Sequence, residues 1–220
     1  MQADIEGTLG KLDKLIERKE GELLEAGANL RAKREKAATN LAKETASLLD
    51  SLGFKKARFD VVVYAENAFR EHGNSRCEYV FSANPGMEPL PLNKIASSGE
   101  IARVMLGLKT ILAKLDDTPV LVFDEVDANV GGEIGTVVGD RLADLSGDHQ
   151  VFCVTHLPQV AAKGKQHFLV DKIQTDDDTK VSIEPIHKNE SARLDELARM
   201  LGSRRSKVAQ THARELLGVS

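Results

Sequence analysis

The first 52 residues contain no proline and no aromatic residue, and their apolar side chains recur at spacings of four and three. This seam runs through Ile5, Leu9, Leu12, Ile16, Leu23, Ala26 and Leu30. Lys19 fills its polar position, and nine basic and ten acidic residues lie within residues 1–50. The pattern predicts one continuous helix with a narrow apolar face, which is typical of a coiled-coil strand. The alternative is a long exposed helix that packs on its own domain.

Composition excludes several classes of protein. A chain of 220 residues that is 41% hydrophobic and 29% charged is typical of a foldable domain with an appendage. The net charge of −4 and the absence of tryptophan argue against an extended basic surface and against base stacking on aromatic side chains. Cys77 and Cys153 lack metal-ligand spacing, which favours a cytosolic protein with reduced thiols. Without a long apolar run or a signal-peptide core, we expect neither a membrane span nor secretion.

Beyond Gly53 the pattern changes to strands and then to alternating strands and helices. Residues 57–64 and 76–83 predict an antiparallel hairpin with its turn at 71–74. Further predicted strands are 119–123, 150–154, 167–171 and 180–185, with a polar turn at 176–178 between the last two. Predicted helices are 100–115, 132–145, 191–201 and 206–217. The order predicts an α/β domain with a mainly parallel sheet flanked by helices.

Two carboxylates, Asp124 and Glu125, directly follow the apolar run 120–123. This places both acids at the carboxyl end of a buried strand, where α/β sheets bind ligands. In nucleotide hydrolases the first such acid serves the Mg²⁺ shell and the second polarises the attacking water. The alternative is an exposed strand end with solvated acids.

Two more segments carry polar residues at positions of chemical interest. Ser97, Ser98 and Gly99 precede a predicted helix, whose first N–H groups and positive dipole end attract phosphate. A simple helix cap with Glu100 explains the same residues. His156 follows the strand 150–154 and is expected at the same sheet edge as Asp124, although a lone histidine is often structural.

Together these segments resemble a known family. The runs 95–109 (IASSGEIARVMLGLK), 123–132 (FDEVDANVGG) and 154–162 (VTHLPQVAA) appear in the order found in ATP-binding-cassette ATPase heads. More narrowly, they resemble the RecN family, bacterial DNA repair proteins related to the chromosome-maintenance (SMC) proteins. The resemblance covers roughly residues 53–217, with the coiled coil as its expected lead-in, and the combined motif set is highly specific.

The resemblance implies an ATPase that uses ATP and Mg²⁺. Asp124 would be the Walker B aspartate on the Mg²⁺ shell, Glu125 the catalytic base and His156 the switch histidine. The signature turn, which contacts ATP held by a second head, would comprise Ser97, Ser98, Gly99 and Glu100. Asp127 and Asn129 would lie in the loop that crosses the dimer interface.

The sequence departs from the family pattern at three points. Ser98 stands where RecN-like signatures usually have a second glycine, and a side chain there narrows the approach to phosphate if the backbone needs positive φ. Gly131 replaces the aspartate of many cassette ATPases, which agrees with the narrower RecN resemblance. No G-x-x-x-x-G-K-[ST] phosphate loop occurs in the chain.

We therefore expect a coiled-coil helix over 1–52 and the C-terminal half of an ABC/SMC-like ATPase head over 53–220. RecN-like proteins carry the phosphate loop in an N-terminal half-head, which is an expected partner. The hypothesis is an ATP-hydrolysing homodimer that acts in DNA double-strand break repair and recombination, located in the cytoplasm and associated with the nucleoid. The alternative is a non-enzymatic coiled-coil interaction module, since the isolated chain is predicted to be inactive.

DNA contact has one candidate region in this chain. Residues 188–214 contain seven basic residues and three acidic residues. The stretch 204–207, between two predicted helices, is positioned to touch DNA phosphates. A solvated helix face explains the same composition.

Overall fold

The computed structural model describes residues 2–115, 117–174 and 179–219, without the side chains of 2–6, 173 and 174. It begins with α1 (Gln2–Ser51), a single helix of 50 residues that confirms the predicted helix. At 1.5 Å per residue this helix is about 75 Å long. The seam residues Leu9, Leu12, Ile16 and Leu23 are all exposed on it.

The chain divides into two compact units, Met1–Ala46 with Ala57–Lys94, and Ser47–Lys56 with Ile95–Ser220. The predicted division of the chain into a coiled-coil helix over 1–52 and a half-head over 53–220 stays a prediction. No described helix is long and apolar enough to cross a membrane.

The first unit combines α1 with an antiparallel sheet. Strands β1 (Arg58–Arg70) and β2 (Gly73–Ser82) form the predicted hairpin, and β3 (Leu90–Pro91) adds a short third strand. The pairing of β1 with β2 is irregular between Ala65 and Arg70. Strand β1 nevertheless continues to Arg70, six residues beyond its predicted end.

The hairpin tip is held against α1 by hydrogen bonds and by close packing. Arg34 donates from Nη1 to the Ser75 carbonyl (2.9 Å) and from Nη2 to the His72 carbonyl (2.8 Å). A Cβ on Gly27 would lie 2.7 Å from both Asn74 Oδ1 and the Phe69 ring. Glycine at position 27 therefore permits a contact that a larger residue would obstruct.

The second unit is the α/β part of the chain. Its helices are α2 (Ser98–Leu112), α3 (Gly132–Leu145), α4 (Pro158–Lys163), α5 (Glu190–Met200) and α6 (Lys207–Leu217). Its strands are β4 (Val120–Phe123), β5 (Gln150–Cys153), β6 (Phe168–Gln174) and β7 (Thr179–Pro185). The sequence did not predict the short helix α4.

Strands β4 and β5 pair in parallel, from Val120 opposite Gln150 to Phe123 opposite Cys153. Strands β6 and β7 pair with each other in antiparallel fashion, so among the described residues the parallel sheet has two strands. The predicted polar turn at Asp176–Asp178 lies outside the described residues.

Buried apolar side chains hold the second unit together. One cluster joins α4 to α5 and α6, through Ala161, Leu194, Leu197, Ala198, Ala209 and Ala213. Other buried apolar residues lie at the end of α1 and on α2, α3 and β4: Leu49, Leu52, Val104, Leu106, Leu108, Leu121, Phe123, Val138 and Leu142.

Candidate functional site

The loops that follow β4 and β5 start side by side. The Val154 N–H donates to the Phe123 carbonyl at 2.9 Å, so the pairing continues one residue beyond β5. Asp124 and Glu125 therefore leave the same sheet edge as Thr155 and His156. The predicted placement of these polar residues at one edge is confirmed.

Asp127 joins the two loops through its side chain. Only 1% of this residue is exposed, and its Oδ2 accepts hydrogen bonds from the Thr155 hydroxyl, from the His156 N–H (3.0 Å) and from the Leu157 N–H (3.2 Å). An acceptor with several donors holds a turn tightly, because its loss would remove one partner from each of these part-buried donors. The Asp127 carboxylate thus organises the turn that carries His156.

The His156 side chain points into solvent from this turn. Its ring is 72% exposed, while Nδ1 lies 3.3 Å from Asp127 Oδ2. The backbone of His156 is therefore held, and its Nε2 remains on the solvent side where a ligand would approach. Its role as a switch histidine stays a prediction.

The N-terminus of α2 contains the proposed signature turn. Ser97 is the N-cap, and its Oγ accepts from the Glu100 N–H at 3.4 Å, so these residues do form the helix cap anticipated as an alternative. The next hydroxyl, on exposed Ser98, donates to Glu125 Oε2. Helix capping explains the contact of Ser97, and the contact of this turn with phosphate stays a prediction.

The loop from Glu125 to Asn129 follows a tight path. Both of these residues have positive φ, 57° and 60°, which is uncommon for residues other than glycine. The Ala128 N–H donates to the Glu125 carbonyl at 3.0 Å, and the Val130 N–H donates to the Asp127 carbonyl at 3.4 Å. Asn129 is exposed, as a residue that faces a second head must be, but that contact stays a prediction.

Gly99 allows α2 to approach this loop. A Cβ on Gly99 would lie 2.9 Å from the Ala128 Cβ and 3.1 Å from the Glu125 carbonyl oxygen. Neighbouring Glu100 is half-buried in the first turn of α2. The start of α2, which contains the predicted signature turn, therefore contacts the loop after β4 within one chain.

Asp124 is exposed at the end of β4, with its carboxylate accessible to solvent. Within the described ranges, no three His, Cys, Asp or Glu side chains form a group that could hold a metal ion. Mg²⁺ commonly takes one or two carboxylates and completes its shell with water and substrate phosphate. An exposed lone carboxylate fits that mode of binding, and it does not fit an all-protein metal cage.

Sequence reasoning missed Arg103, which is 7% exposed on α2. Its Nη1 donates to the Ala128 carbonyl at 2.8 Å, and its guanidinium lies 4.9 Å from the centre of the Phe54 ring. Burial lowers the pKa of Arg103 from its ordinary value, while the charges of Glu100 and Asp127 oppose that shift. One feature of the sequence could have identified it: Arg103 lies four positions from Gly99 and four from Gly107, and both glycines are on the buried face of α2.

Cys153 is the last residue of β5 and lies near Asp124 and Asp127. Burial, with smaller contributions from Asp127 and Asp124, raises the pKa of its thiol to about 12. The thiol is therefore protonated at neutral pH and is unsuited to nucleophilic chemistry.

The basic region 188–214 is partly engaged within the chain. Arg193 donates to the Ala162 and Gly164 carbonyls, at 2.9 and 2.7 Å. Buried Glu196 pairs with Arg199 and with Arg204, at 2.7 and 3.3 Å. Burial alone would raise the pKa of Glu196, but these two arginines outweigh that effect and lower it.

Four other basic residues of that region are exposed on the surface: Lys188, Arg205, Lys207 and Arg214. They are the remaining candidates for DNA phosphate contacts, and such contacts stay a prediction.

The chain is similar to several proteins named DNA repair protein RecN. It is 41% identical over 212 residues to the protein of Xylella fastidiosa, covering 95% of this chain and 38% of that relative. The corresponding protein of Deinococcus radiodurans is 40% identical over 208 residues, with coverage of 94% and 36%. The chain belongs to the RecN family. It spans less than two-fifths of the length of these RecN relatives and matches their C-terminal part.

Solved structures support the fold of this RecN segment. The Smc head domain of Pyrococcus furiosus, with an extended coiled coil and bound to the C-terminal domain of ScpA, matches with a TM-score of 0.55. It is 17% identical, over 84% of this chain and 44% of that one. The Smc head domain of Pyrococcus yayanosii has a TM-score of 0.50 at 18% identity, over 79% and 32%. No family model matches the chain. The fold class predicted from the sequence, a lobe of an SMC-type head behind a long helix, is confirmed.

Proposed function

We propose that this chain is the C-terminal part of an ATP-hydrolysing RecN protein that acts in DNA double-strand break repair and recombination. It supplies the signature turn, the Walker B acids and the switch histidine to ATP sites between two heads. The observation that carries the proposal is the convergence of three segments at one sheet edge. Ser98 contacts Glu125, and Asp127 holds the turn of His156.

The geometry supports hydrolysis by in-line attack of water. Glu125, exposed at the sheet edge, accepts a proton from water as the water oxygen bonds to the γ-phosphorus. The bond from the γ-phosphorus to the β–γ bridging oxygen breaks, and ADP leaves with that electron pair. In this proposal His156 donates a hydrogen bond to the γ-phosphate, and Ser97 to Gly99 of the second head contact the same phosphate group.

Asp124 would hold Mg²⁺ together with the phosphate oxygens of ATP. When bound, the ion supplies charge neutralisation for the phosphates. The contribution of this chain is a carboxylate fixed at the end of β4 beside Glu125.

The exposed face of the β4–β5 pair supports the proposal that an N-terminal half-head packs against this chain. Val122, Phe152 and Val154 are at least half exposed and lie on one face of β4 and β5. A depression of about 450 Å³ between α2 and β4 opens beside them, from Met105 to Asp124. A contiguous apolar face of this kind marks an interaction site. The N-terminal part of RecN relatives, which this chain does not cover, is the proposed occupant.

The seam of α1 supports a second contact with the N-terminal part. Leu9, Leu12, Ile16 and Leu23 are exposed at coiled-coil spacing. In the proposal α1 is the returning coiled-coil strand, and the first coiled-coil strand, which follows the N-terminal half-head, would cover these residues. ATP-driven pairing of two complete heads would form the homodimer. DNA as the partner, and a cytoplasmic, nucleoid-associated location, belong to the same proposal.

The proposal is tested by Glu125→Gln in the full-length protein, in which the N-terminal part precedes this chain. The amide keeps the shape of the side chain but accepts no proton, so ATP turnover should fall by about 100-fold or more. ATP binding and ATP-dependent dimers, measured by calorimetry and sedimentation, should persist. Glu133→Gln, at an exposed acid in the first turn of α3, is the matched control. Unchanged hydrolysis by Glu125→Gln would remove the proposed base.

A second candidate function applies to the isolated chain. The exposed seam of α1 and the absence of a phosphate loop from the printed sequence favour a non-enzymatic interaction module. We expect negligible ATP turnover by this chain alone and turnover once the N-terminal part is added. Robust ATP turnover by the chain alone would contradict the hypothesis of a non-enzymatic interaction module. It would also show that hydrolysis does not need the phosphate loop of the N-terminal part.

A further inference from the structure

Arg103 has an unusual environment for an arginine. It is 7% exposed, it lies on the same face of α2 as Gly99 and Gly107, and its guanidinium stacks on Phe54 at 4.9 Å. Burying a charge is costly unless it is well hydrogen-bonded. Its described acceptors are main-chain carbonyls, those of Val126 at 3.5 Å and Ala128 at 2.8 Å.

These two carbonyls flank the central residue of the candidate site. Asp127 lies between them and holds the turn of His156, and Glu125 directly precedes them. Because the acceptors belong to the backbone, Arg103 determines the path of the main chain and leaves the acidic side chains available. Ser98 and Gly99, in the first turn of α2, also contact this loop closely. Helix α2 therefore packs against residues 125–128 at several points.

We infer that Arg103 is a positioning residue, whose guanidinium fixes the main chain of residues 125–128 and so sets the orientation of Glu125 and Asp127. The structural part of this inference stands on the contacts alone. Its consequence for hydrolysis rests on the proposed function.

A lysine cannot reproduce this arrangement. Both carbonyls accept from Nη1 at the end of the rigid guanidinium, whose central carbon lies 4.9 Å from the centre of the Phe54 ring. An ammonium is a compact point charge on a flexible stem, so it is not held at this position in the same way. Arg103→Lys therefore keeps the charge and loses most of the support. Arg103→Met keeps much of the apolar stem and loses every donor.

The first experiment measures hydrogen exchange in the 220-residue chain itself. The Ala128 and Val130 N–H groups bond within the loop and report its order. In Arg103→Lys and Arg103→Met their exchange should accelerate by about tenfold or more, since local opening sets the rate. Helices α5 and α6 should keep their wild-type exchange, which shows that the variants fold. Arg141→Lys, on α3, is the control. Unchanged exchange at Ala128 and Val130 in both variants would overturn the inference.

The second experiment measures ATP turnover of the same variants in the full-length protein. Misplacement of a catalytic group should lower kcat by about 10- to 100-fold while KM for ATP changes by less than about twofold. Arg103→Lys should retain more activity than Arg103→Met, and Glu125→Gln serves as the reference. If Glu125→Gln hydrolyses ATP normally, the proposed function fails. If Glu125→Gln is inactive while Arg103→Met keeps wild-type kcat, the inference about Arg103 fails alone.

Discussion

The Ser98 hydroxyl ties the proposed signature turn to the proposed base of the same chain. Ser98 donates to Glu125 Oε2, and the side chain that does so is absent where related signatures carry glycine. This hydrogen bond holds the carboxylate towards α2. If Glu125 is the proposed base, its Oε2 becomes fully available to water only when this bond opens.

Ser98→Gly should therefore release Glu125 and raise ATP turnover of the full-length protein by about two- to fivefold, since a net hydrogen bond is worth about 1 kcal/mol. Steady-state phosphate release measures the effect. Ser146→Gly removes a hydroxyl that donates to the Ala143 carbonyl at the end of α3, and it should leave turnover unchanged. A slower Ser98→Gly enzyme would show that the hydroxyl assists hydrolysis and does not restrain the base.

For individual residues, the sequence predicts where Asp124, Glu125 and His156 lie, but it does not predict which atoms they contact. An apolar run followed by Asp124 and Glu125 is sufficient to place them at a strand end. The burial of Asp127 and the carbonyl acceptors of Arg103 depend on residues up to 30 positions away along the chain. No local pattern encodes such pairings, so they emerge only when β4 and β5 align.

At the scale of secondary structure, the contact of α1 with the hairpin tip is the most constrained feature of the first unit. Gly27 faces Asn74 and Phe69, and Arg34 bonds to two carbonyls of β2 and the turn. Glycine is otherwise unfavourable inside a helix by about 1 kcal/mol. Its presence at position 27 is explained by this close approach.

Gly27→Ala should lower the free energy of unfolding by about 1–3 kcal/mol, because the added methyl group must displace the side chains of Asn74 and Phe69. Gly21→Ala is the control, since a Cβ at position 21 meets no atom within 4 Å. That control should gain up to about 1 kcal/mol from helix propensity. Urea unfolding followed by circular dichroism measures both variants. A Gly27→Ala protein as stable as Gly21→Ala would contradict the close contact.

Long periodic elements are predictable from the sequence, and short or irregular ones are not. The helix α1 and the strands β4 and β5 follow from their apolar patterns. Helix α4 has six residues, which is too short to show a 3.6-residue period. Residues 65–70 of β1 (AENAFR) show no regular strand alternation, and they are strand because β1 pairs with β2 again at Arg70, opposite Gly73.

At the scale of the whole molecule, the exposed sheet face is the feature that needs a partner. Val122 is 69% exposed on a strand whose other face is buried. A parallel strand pair is normally covered on both faces. This agrees with a chain that spans 38% of the length of its Xylella fastidiosa relative.

Val122→Lys combined with Val154→Lys should prevent assembly with a separately expressed N-terminal part. Desolvating two ammonium groups opposes docking, while the chain itself tolerates charge at exposed positions. Co-purification measures assembly, and the melting temperature of the chain should stay the same. Val208→Lys, at an equally exposed valine on α6, is the control. Normal assembly of the double variant would place the N-terminal part elsewhere.

The contact at Gly27 has one more consequence, for the direction in which α1 presents its seam. An α-helix turns by about 100° per residue, so the bearing of each seam leucine is set by its distance in residues from Gly27. One residue inserted directly after Gly21 would rotate the seam residues Leu9, Leu12 and Ile16 by about 100° around the helix axis relative to Gly27, whereas seven would return them to within about 20°. The contact of Gly27 with the hairpin tip thus fixes the rotation of α1 at this point, and the number of residues between Gly27 and each of these leucines determines the direction in which that leucine faces.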